Sequence, residues 1–267
     1  MSHPFRDRAT RPDVLICAGL DPSGGAGLIA DTRVVGELGG RPVGVVTALT
    51  VQNTTAVIDT EAMNAPVIRE QLEFLLSDIE IHAVKIGMIG SSEIAKSIGA
   101  ALALTNAPVV WDPVIHPSRG DVPFIDSLFH HAMAALAPHI TVLTPNMQEL
   151  AFLTGARIAS LEDAVAAGRA LANRLDTAVL VKGGHLDTES DESVDALCRA
   201  TGAELLRGPR VLRGEHVHGT GCALSSAIAT HLALGVPLVD ACRVAKQFVA
   251  ERISHPVRPG RGAPAIL

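Results

Sequence analysis

Short apolar runs alternate with longer amphipathic segments along most of the chain. The apolar runs predict strands at residues 14–20, 43–49, 83–86, 109–111, 140–143 and 178–182. The amphipathic segments predict helices at residues 28–38, 65–76, 92–104, 126–136, 160–174, 223–234 and 238–253. Runs that are apolar on both faces are typical of parallel strands covered by helices. The repeated alternation therefore predicts a doubly wound α/β sheet.

The pattern changes after residue 183, where shorter runs predict edge strands or a meander. These runs are residues 194–198, 204–206 and 210–212, and an acidic turn at 188–192 precedes them. No internal repeat or linker interrupts the chain, so we expect one domain over residues 1–267. The polar residues 1–12 and the Pro-, Gly- and Arg-rich residues 256–267 are expected to be flexible tails.

Composition narrows the classes of function. Hydrophobic residues make up 48% of the chain and charged residues 19%, which is sufficient for a large core. A net charge of -6 and an aromatic content of 3% argue against nucleic acid as a partner. The sequence has no secretory signal and no apolar run of about 18 residues, so no membrane partner is expected. The 4 cysteines are widely spaced, which favours free thiols and a cytoplasmic location.

Polar clusters follow the predicted strands at their carboxyl ends, where ligands bind in open α/β sheets. The clusters are residues 21–27, 50–54, 87–88, 112–113, 146–149 and 182–185. Each one alone is also explained by the turn preferences of Gly, Pro, Asn and Asp. Their convergence on one edge of the sheet favours a binding site.

Residues 219–222 (Gly-Thr-Gly-Cys) directly precede a long apolar helical segment. Small residues at a helix start expose consecutive N–H groups, and the helix dipole adds positive potential, which together favour an anion site. Cys222 is expected in the first turn, where a thiol pKa falls from about 8.5 into the range of roughly 3.5–7.5. The arrangement suits phosphoryl transfer. The alternative is an ordinary tight helix start.

Seven segments resemble, in the same order, the motifs of hydroxymethylpyrimidine/phosphomethylpyrimidine kinases. They are residues 19–27, 47–54, 85–88, 112–114, 144–146, 181–185 and 218–222. That family belongs to the ribokinase-like superfamily, so the resemblance implies an α/β/α sandwich with a mostly parallel sheet, and a homodimer. It also implies ATP-dependent phosphorylation of 4-amino-5-hydroxymethyl-2-methylpyrimidine, and then of its monophosphate to the diphosphate, in thiamine biosynthesis.

The resemblance also implies a set of substrate-binding residues. These are Gln52, Gly19, Ala26, Asp31, Met88 and Ile115. The amide of Gln52 both donates and accepts hydrogen bonds, which suits the edge of an aminopyrimidine. Met88 is equally explained as core filling, and Asp31 as an ordinary surface carboxylate.

The remaining site residues are assigned to catalysis, nucleotide and metal. We expect catalytic roles for Cys222, Gly219, Gly221 and Lys182, and nucleotide contacts from Asn146, Lys182 and Thr220. The carboxylates of Asp112 and Glu149 suit Mg²⁺, which typically binds one or two carboxylates together with phosphates. The cofactors implied are thus ATP and Mg²⁺. Glu149 is alternatively a first-turn carboxylate favoured by the helix dipole, and Lys182 a solvated strand-end lysine.

Three positions depart from the family pattern, and they leave open which step is favoured. Leu20 replaces a usual Ser, Val217 replaces a usual Thr, and Arg119 stands near the position of a usual Lys. Arg and Lys are not equivalent phosphate donors. Two alternatives therefore stay open: a pyridoxal/pyridoxine or single-step pyrimidine kinase of the same fold, and a non-catalytic pyrimidine-binding protein.

Overall fold

The computed structural model describes residues 11–115, 129–184, 191–211 and 217–266. Several sequence expectations lie wholly or partly outside these ranges. They are the N-terminal tail, Arg119, the start of the helix expected at 126–136, the turn at 188–192 and the end of the strand expected at 210–212.

The described residues form one nine-stranded sheet, in the spatial order β3-β2-β1-β4-β5-β6-β7-β8-β9. The strands are β1 (Asp13–Leu20), β2 (Arg41–Gln52), β3 (Val57–Ala62), β4 (Ala83–Ile86), β5 (Val109–Trp111), β6 (Val142–Leu143), β7 (Ala178–Val181), β8 (Glu192–Arg199) and β9 (Gly202–Pro209). Six neighbouring strands are parallel, namely β2, β1, β4, β5, β6 and β7, while β3, β8 and β9 pair antiparallel at the two edges. The predicted, mostly parallel sheet is confirmed.

Helices cover both faces of this sheet. They are α1 (Gly27–Glu37), α2 (Ala65–Leu76), α3 (Ser92–Leu102), α4 (Phe129–Leu136), α5 (Met147–Thr154), α6 (Leu161–Leu175), α7 (Thr220–Ala233) and α8 (Leu238–Ser254). One hydrophobic core packs α1, α7 and α8 against one face, and a second packs α2, α3, α4 and α6 against the other. The architecture is therefore an α/β/α sandwich, as predicted. None of the helices within the described ranges has the length and apolar character that a membrane crossing requires.

The sequence of β1 shows why this strand lies in the middle of the sandwich. Side chains of a strand alternate between its two faces. Val14, Ile16 and Ala18 accordingly join the core beneath α1, α7 and α8. Leu15 and Cys17 join the core on the opposite face. Because both faces of β1 are buried, residues 14–18 are all apolar, which is the pattern seen in the sequence.

Two elements were missed by the sequence pattern. Only Val57 of the strand β3 is buried, and the sequence Val-Ile-Asp-Thr-Glu-Ala does not alternate between apolar and polar residues. The helix α5 is only 8 residues long, too short for a helical period to stand out.

The sequence predicted a flexible tail over residues 256–267, but residues 262–266 are packed against the rest of the chain, so flexibility is wrong for these residues. Ala263, Ala265 and Ile266 are buried. The N–H of Ala263 donates to the carbonyl of Thr54 at 3.0 Å, and the N–H of His218 donates to the carbonyl of Pro264 at 2.7 Å. We call residues 262–266 the C-terminal strap. Backbone hydrogen bonds, which composition does not reveal, hold it in place.

Candidate active site

The start of α7 meets the loop that follows β1. The N-cap residue of α7, Gly219, has a φ of 86°. A Cβ atom there would lie 2.0 Å from the carbonyl oxygen of Gly25, so both the backbone conformation and the space require glycine. Within the described residues, no side chain caps this end of the helix. The first N–H groups of α7, beginning at Thr220, are therefore left to bind an anion.

A cluster of three charged side chains lies against the first turn of α7. Lys182 Nζ is 2.7 Å from Asp112 Oδ1 and 3.8 Å from Glu149 Oε2. A Cβ atom added at Gly221 would lie 3.3 Å from both Asp112 Oδ2 and Lys182 Nζ. Asp112 follows β5, Glu149 lies in the first turn of α5, and Lys182 follows β7, so residues separated by as many as 70 positions meet here.

Burial sets the protonation of this cluster. Burial raises the pKa of Glu149 to about 7; the Lys182 ammonium opposes the shift, while the Asp112 carboxylate adds to it. Burial by itself lowers the pKa of Lys182, but the carboxylates of Asp112 and Glu149 outweigh it, and the pKa rises. Lys182 is thus held as a cation, and Glu149 titrates near neutral pH.

Asn146 begins α5 and forms a capping box with Glu149. The amide N–H of Glu149 donates to Asn146 Oδ1 at 2.9 Å, and the amide N–H of Asn146 donates to Glu149 Oε2 at 2.7 Å. Asn146 also pairs with Lys182 in a parallel bridge between their backbones. The first-turn interpretation of Glu149 therefore holds alongside its place in the charged cluster. The side-chain oxygen of Asn146 is engaged within the helix.

Cys222 lies in the first turn of α7, as predicted, but the expected low pKa is wrong. Burial raises the pKa of the Cys222 thiol to about 11. The Lys85 ammonium opposes this shift, while the carboxylates of Asp31 and Asp112 add to it. The helix dipole does not overcome the removal of the thiol from water. Cys222 as a whole residue has intermediate exposure, whereas Cys17 is buried.

Asp31 is neither a surface carboxylate nor accessible to a substrate, because its side chain is completely buried. Asp31 Oδ2 is 2.5 Å from Lys85 Nζ, and Asp31 Oδ1 accepts a hydrogen bond from Ser226 Oγ at 2.8 Å. Lys85 is also completely buried. Lys85 was not assigned a role from the sequence, because nothing in the apolar strand around it indicates that this lysine pairs with a buried carboxylate.

The predicted substrate residues fall into two neighbouring groups. Gly19 packs on Met88, where an added Cβ would lie 2.8 Å from the Met88 sulfur. Met88 and Ile115 are 7% and 4% exposed and belong to hydrophobic cores. This burial agrees with the core-filling interpretation of Met88, so ring contact by these two side chains stays a prediction.

The second group surrounds His218. Gln52 Nε2 is 3.2 Å from His218 Nε2, which in turn is 3.1 Å from Asp21 Oδ2. The amide N–H of Ala26 donates to the same Asp21 oxygen at 3.1 Å. Sequence reasoning gave Asp21 and His218 no role, although both stand inside the motif segments 19–27 and 218–222.

Known proteins with similar sequences identify the family of this chain. Residues 21–266 match the sequence family described as phosphomethylpyrimidine kinase. The chain is 38% identical, over 245 residues, to the hydroxymethylpyrimidine/phosphomethylpyrimidine kinase of Streptomyces coelicolor, covering 92% of this chain and 90% of that protein.

Two solved structures share the fold. The phosphomethylpyrimidine kinase of Clostridium difficile 630 superimposes with a TM-score of 0.75 at 34% identity, covering 91% of this chain and 99% of that one. The pyridoxal kinase of Staphylococcus aureus, in complex with ADP, gives a TM-score of 0.85 at 30% identity and coverages of 96% and 92%. On its sequence and its fold, the chain belongs to the phosphomethylpyrimidine kinase family.

Proposed function

We propose that this enzyme transfers the γ-phosphoryl group of ATP to 4-amino-5-hydroxymethyl-2-methylpyrimidine, and then to the resulting monophosphate, in thiamine biosynthesis. The observation that carries the proposal is the uncapped start of α7 beside the cluster of Lys182, Asp112 and Glu149. Phosphoryl transfer depends mainly on positioning and on charge stabilisation. N–H groups from Gly219 to Cys222 and the Lys182 ammonium would supply both to the transferred group.

The first transfer needs a route for one proton. The substrate hydroxyl oxygen forms the new bond to the γ-phosphorus, the bond from that phosphorus to the ADP oxygen breaks, and the hydroxyl proton leaves. Cys222 can accept that proton only as a thiolate, a minor species at neutral pH when its pKa is about 11. We therefore expect the rate of the first transfer to rise with pH across the neutral range.

The carboxylates of Asp112 and Glu149 fit Mg²⁺. Asp112 Oδ1 and Glu149 Oε2 lie 2.7 and 3.8 Å from Lys182 Nζ, so both carboxylates offer oxygen ligands to an ion beside the ammonium group. Two carboxylates with nucleotide phosphates and water form a typical Mg²⁺ environment. When bound, the ion would offset the charge of the phosphates. Asn146 and Thr220 flank this position and are proposed to contact the nucleotide.

A pyridoxal kinase activity is the second candidate. The pyridoxal kinase of Staphylococcus aureus superimposes with the higher of the two TM-scores given above, 0.85 against 0.75. The geometry of Lys182, Asp112 and Cys222 suits either acceptor, because both present a hydroxymethyl group. The presence of this cluster argues against a protein that only binds the pyrimidine.

ADP release, measured with each acceptor separately, tests the proposal. We expect release with the free pyrimidine and with its monophosphate, and weaker release with pyridoxal. Lys182→Met should reduce all of these rates. Release with pyridoxal alone would establish the second candidate, and tight binding of the pyrimidine without ADP release would establish a binding protein.

Location and assembly are further parts of the proposal. The free thiols Cys17, Cys198, Cys222 and Cys242 support a reducing compartment, and we propose the cytoplasm. The homodimer expected from the superfamily stays a prediction, and light scattering of the purified protein tests it.

A further inference from the structure

The side-chain amide of Gln52 lies in a chain of polar contacts in which each group can be assigned as a hydrogen-bond donor or acceptor. Its oxygen is placed 3.2 Å from Thr50 Oγ1, and its nitrogen 3.2 Å from His218 Nε2. Thr50 Oγ1 is also 3.0 Å from the carbonyl oxygen of Leu20, and His218 Nε2 is 3.1 Å from Asp21 Oδ2. The oxygen and nitrogen of an amide occupy the same space, so these neighbours decide which one faces which side.

Thr50 constrains one side of the amide. Its hydroxyl has a single proton, and the carbonyl oxygen of Leu20 can only accept. Donation to Leu20 therefore leaves Thr50 Oγ1 as an acceptor toward Gln52. Because Thr50 Oγ1 then accepts, the Gln52 amide must turn its nitrogen, which donates, toward Thr50.

His218 constrains the other side independently. Asp21 is 3% exposed, and its Oδ1 accepts from the N–H and the hydroxyl of Ser23 at 2.8 and 2.7 Å. Burial opposes ionisation of this carboxyl, but hydrogen bonds from His218 and Ser23 outweigh it and hold the pKa of Asp21 below its usual value. An ionised carboxylate only accepts, so His218 Nε2 must carry a proton. The Gln52 amide must then present its oxygen to His218.

Both constraints select the same orientation. We propose that Thr50, His218 and Asp21 lock the Gln52 amide with its oxygen toward His218 and its nitrogen toward Thr50, and that this lock determines which substrate edge Gln52 accepts. The inference rests on the proposed function, in which Gln52 binds the ring edge. His218 and Thr50 are positioning residues in this arrangement, acting through Gln52.

The C-terminal strap holds both ends of this network. The backbone N–H of His218 donates to the carbonyl of Pro264, and the backbone carbonyl of His218 accepts from the N–H of Ile266 at 3.0 Å. On the other side, the N–H of Gly262 donates to Thr54 Oγ1 at 3.1 Å, two residues from Gln52. The spacing of Gln52 and His218 is thus fixed by backbone contacts as well as by their side chains.

The lock distinguishes the two candidate acceptors by chemistry. The aminopyrimidine presents an amino donor next to an accepting ring nitrogen. When pyridoxal is placed with its hydroxymethyl group in the same position, a formyl oxygen, an acceptor, replaces the amino donor. A Gln52 amide fixed in one orientation can pair with only one of these two arrangements of donors and acceptors. An amide free to rotate by 180° could pair with either.

The test compares the dissociation constants of the aminopyrimidine and pyridoxal, measured by titration calorimetry. The variants Thr50→Val and His218→Leu each remove one side of the lock. We expect each to reduce the preference for the aminopyrimidine about 10-fold, corresponding to one misdirected hydrogen bond. His218→Gln, which can place an N–H near the position of Nε2, should restore most of the preference.

Thr60→Val is the matched control. Thr60 stands opposite Thr50 in the register of β2 and β3, and its hydroxyl has no hydrogen-bond partner within the described residues. The same chemical change there should leave the preference as in the wild type. A nitrogen-15 spectrum of His218 gives a direct second readout, in which the neutral ring should carry its proton on Nε2.

Three results would overturn the lock. They are an unchanged preference for the aminopyrimidine in the Thr50 and His218 variants, equal weakening of aminopyrimidine and pyridoxal binding, or a neutral His218 ring protonated on Nδ1 instead of Nε2. ADP release is measured in parallel and concerns the proposed function. Selective binding without ADP release contradicts the kinase but supports the lock. Pyrimidine-dependent ADP release with an unchanged preference in the variants contradicts the lock alone. A wild type that does not bind the aminopyrimidine contradicts both.

Discussion

The thiol of Cys222 is subject to opposing effects at the start of α7. The helix dipole and the Lys85 ammonium favour the thiolate. Burial and the carboxylates of Asp31 and Asp112 favour the thiol, and they prevail, with a pKa of about 11. Below that value, the thiolate fraction rises tenfold with each pH unit.

Alkylation of Cys222 should follow this dependence. Only the thiolate reacts with iodoacetamide, so we expect the rate at Cys222 to rise about tenfold per unit from pH 7 to pH 10. Peptide mass spectrometry at successive times measures the rate. A rate that levels off by pH 8 would show that the anion site lowers the pKa after all.

Replacement of Cys222 by Ala should affect the two phosphorylations differently. In the first, the nucleophile is a hydroxyl whose proton must be removed, and general-base catalysis contributes about 100-fold or more. In the second, it is a phosphate oxygen, already largely ionised at neutral pH. Single-substrate assays of ADP release should therefore show a much larger loss with the free pyrimidine than with its monophosphate. Equal losses would contradict a base role.

At the scale of elements, the buried pair of Asp31 and Lys85 connects α1 to β4, and Ser226 adds α7. Removing one member of a buried ion pair leaves the other charge uncompensated, which typically costs about 3–5 kcal/mol. We expect Lys85→Met and Asp31→Leu each to lower the free energy of unfolding by that amount. The double variant should lose less than the sum of both.

Urea denaturation measures these changes. The exposed pair of Arg69 and Glu73, with its atoms 2.7 Å apart, provides a control of similar geometry. Arg69→Met should change stability little, because water screens this pair. Strict additivity of the Lys85 and Asp31 substitutions would mean that the two charges do not stabilise each other.

The sequence predicted the central strands β1 and β4, whose positions are nearly all buried and mostly apolar, although β4 also contains the buried Lys85. It missed β3, which lies at the edge and needs no apolar run. Within the site, the local motifs named Lys182, Asp112, Glu149 and Cys222, which the fold brings close together, and their roles stay predictions. The pair of Asp31 and Lys85 was missed because the two residues are 54 positions apart and meet only in the folded chain.

At the scale of the whole molecule, the C-terminal strap joins the hairpin of β2 and β3 to the residue before Gly219. A Cβ atom at Gly262 would lie 1.7 Å from the carbonyl oxygen of Thr54, a distance that forces the backbone apart. We expect Gly262→Ala to weaken binding of the aminopyrimidine several-fold while leaving the KM for ATP nearly unchanged. Calorimetry and steady-state kinetics measure the two effects.

Gly202→Ala is the control for this substitution. A Cβ atom added at Gly202 has no described atom within 4 Å, so this change should alter neither value. If Gly262→Ala raised the KM for ATP as strongly as it weakened pyrimidine binding, the strap would support the whole site rather than its pyrimidine side.

The strap also bears on the order in which the molecule gains its native contacts. Gly262 meets Thr54 across 208 positions, His218 meets Asp21 across 197, and Gln52 meets His218 across 166. Closing such long loops is entropically unfavourable until the rest of the chain is compact. On dilution from denaturant, the helical circular dichroism signal should therefore recover before affinity for the pyrimidine. We expect a transient intermediate that has native helical content but does not yet bind the pyrimidine.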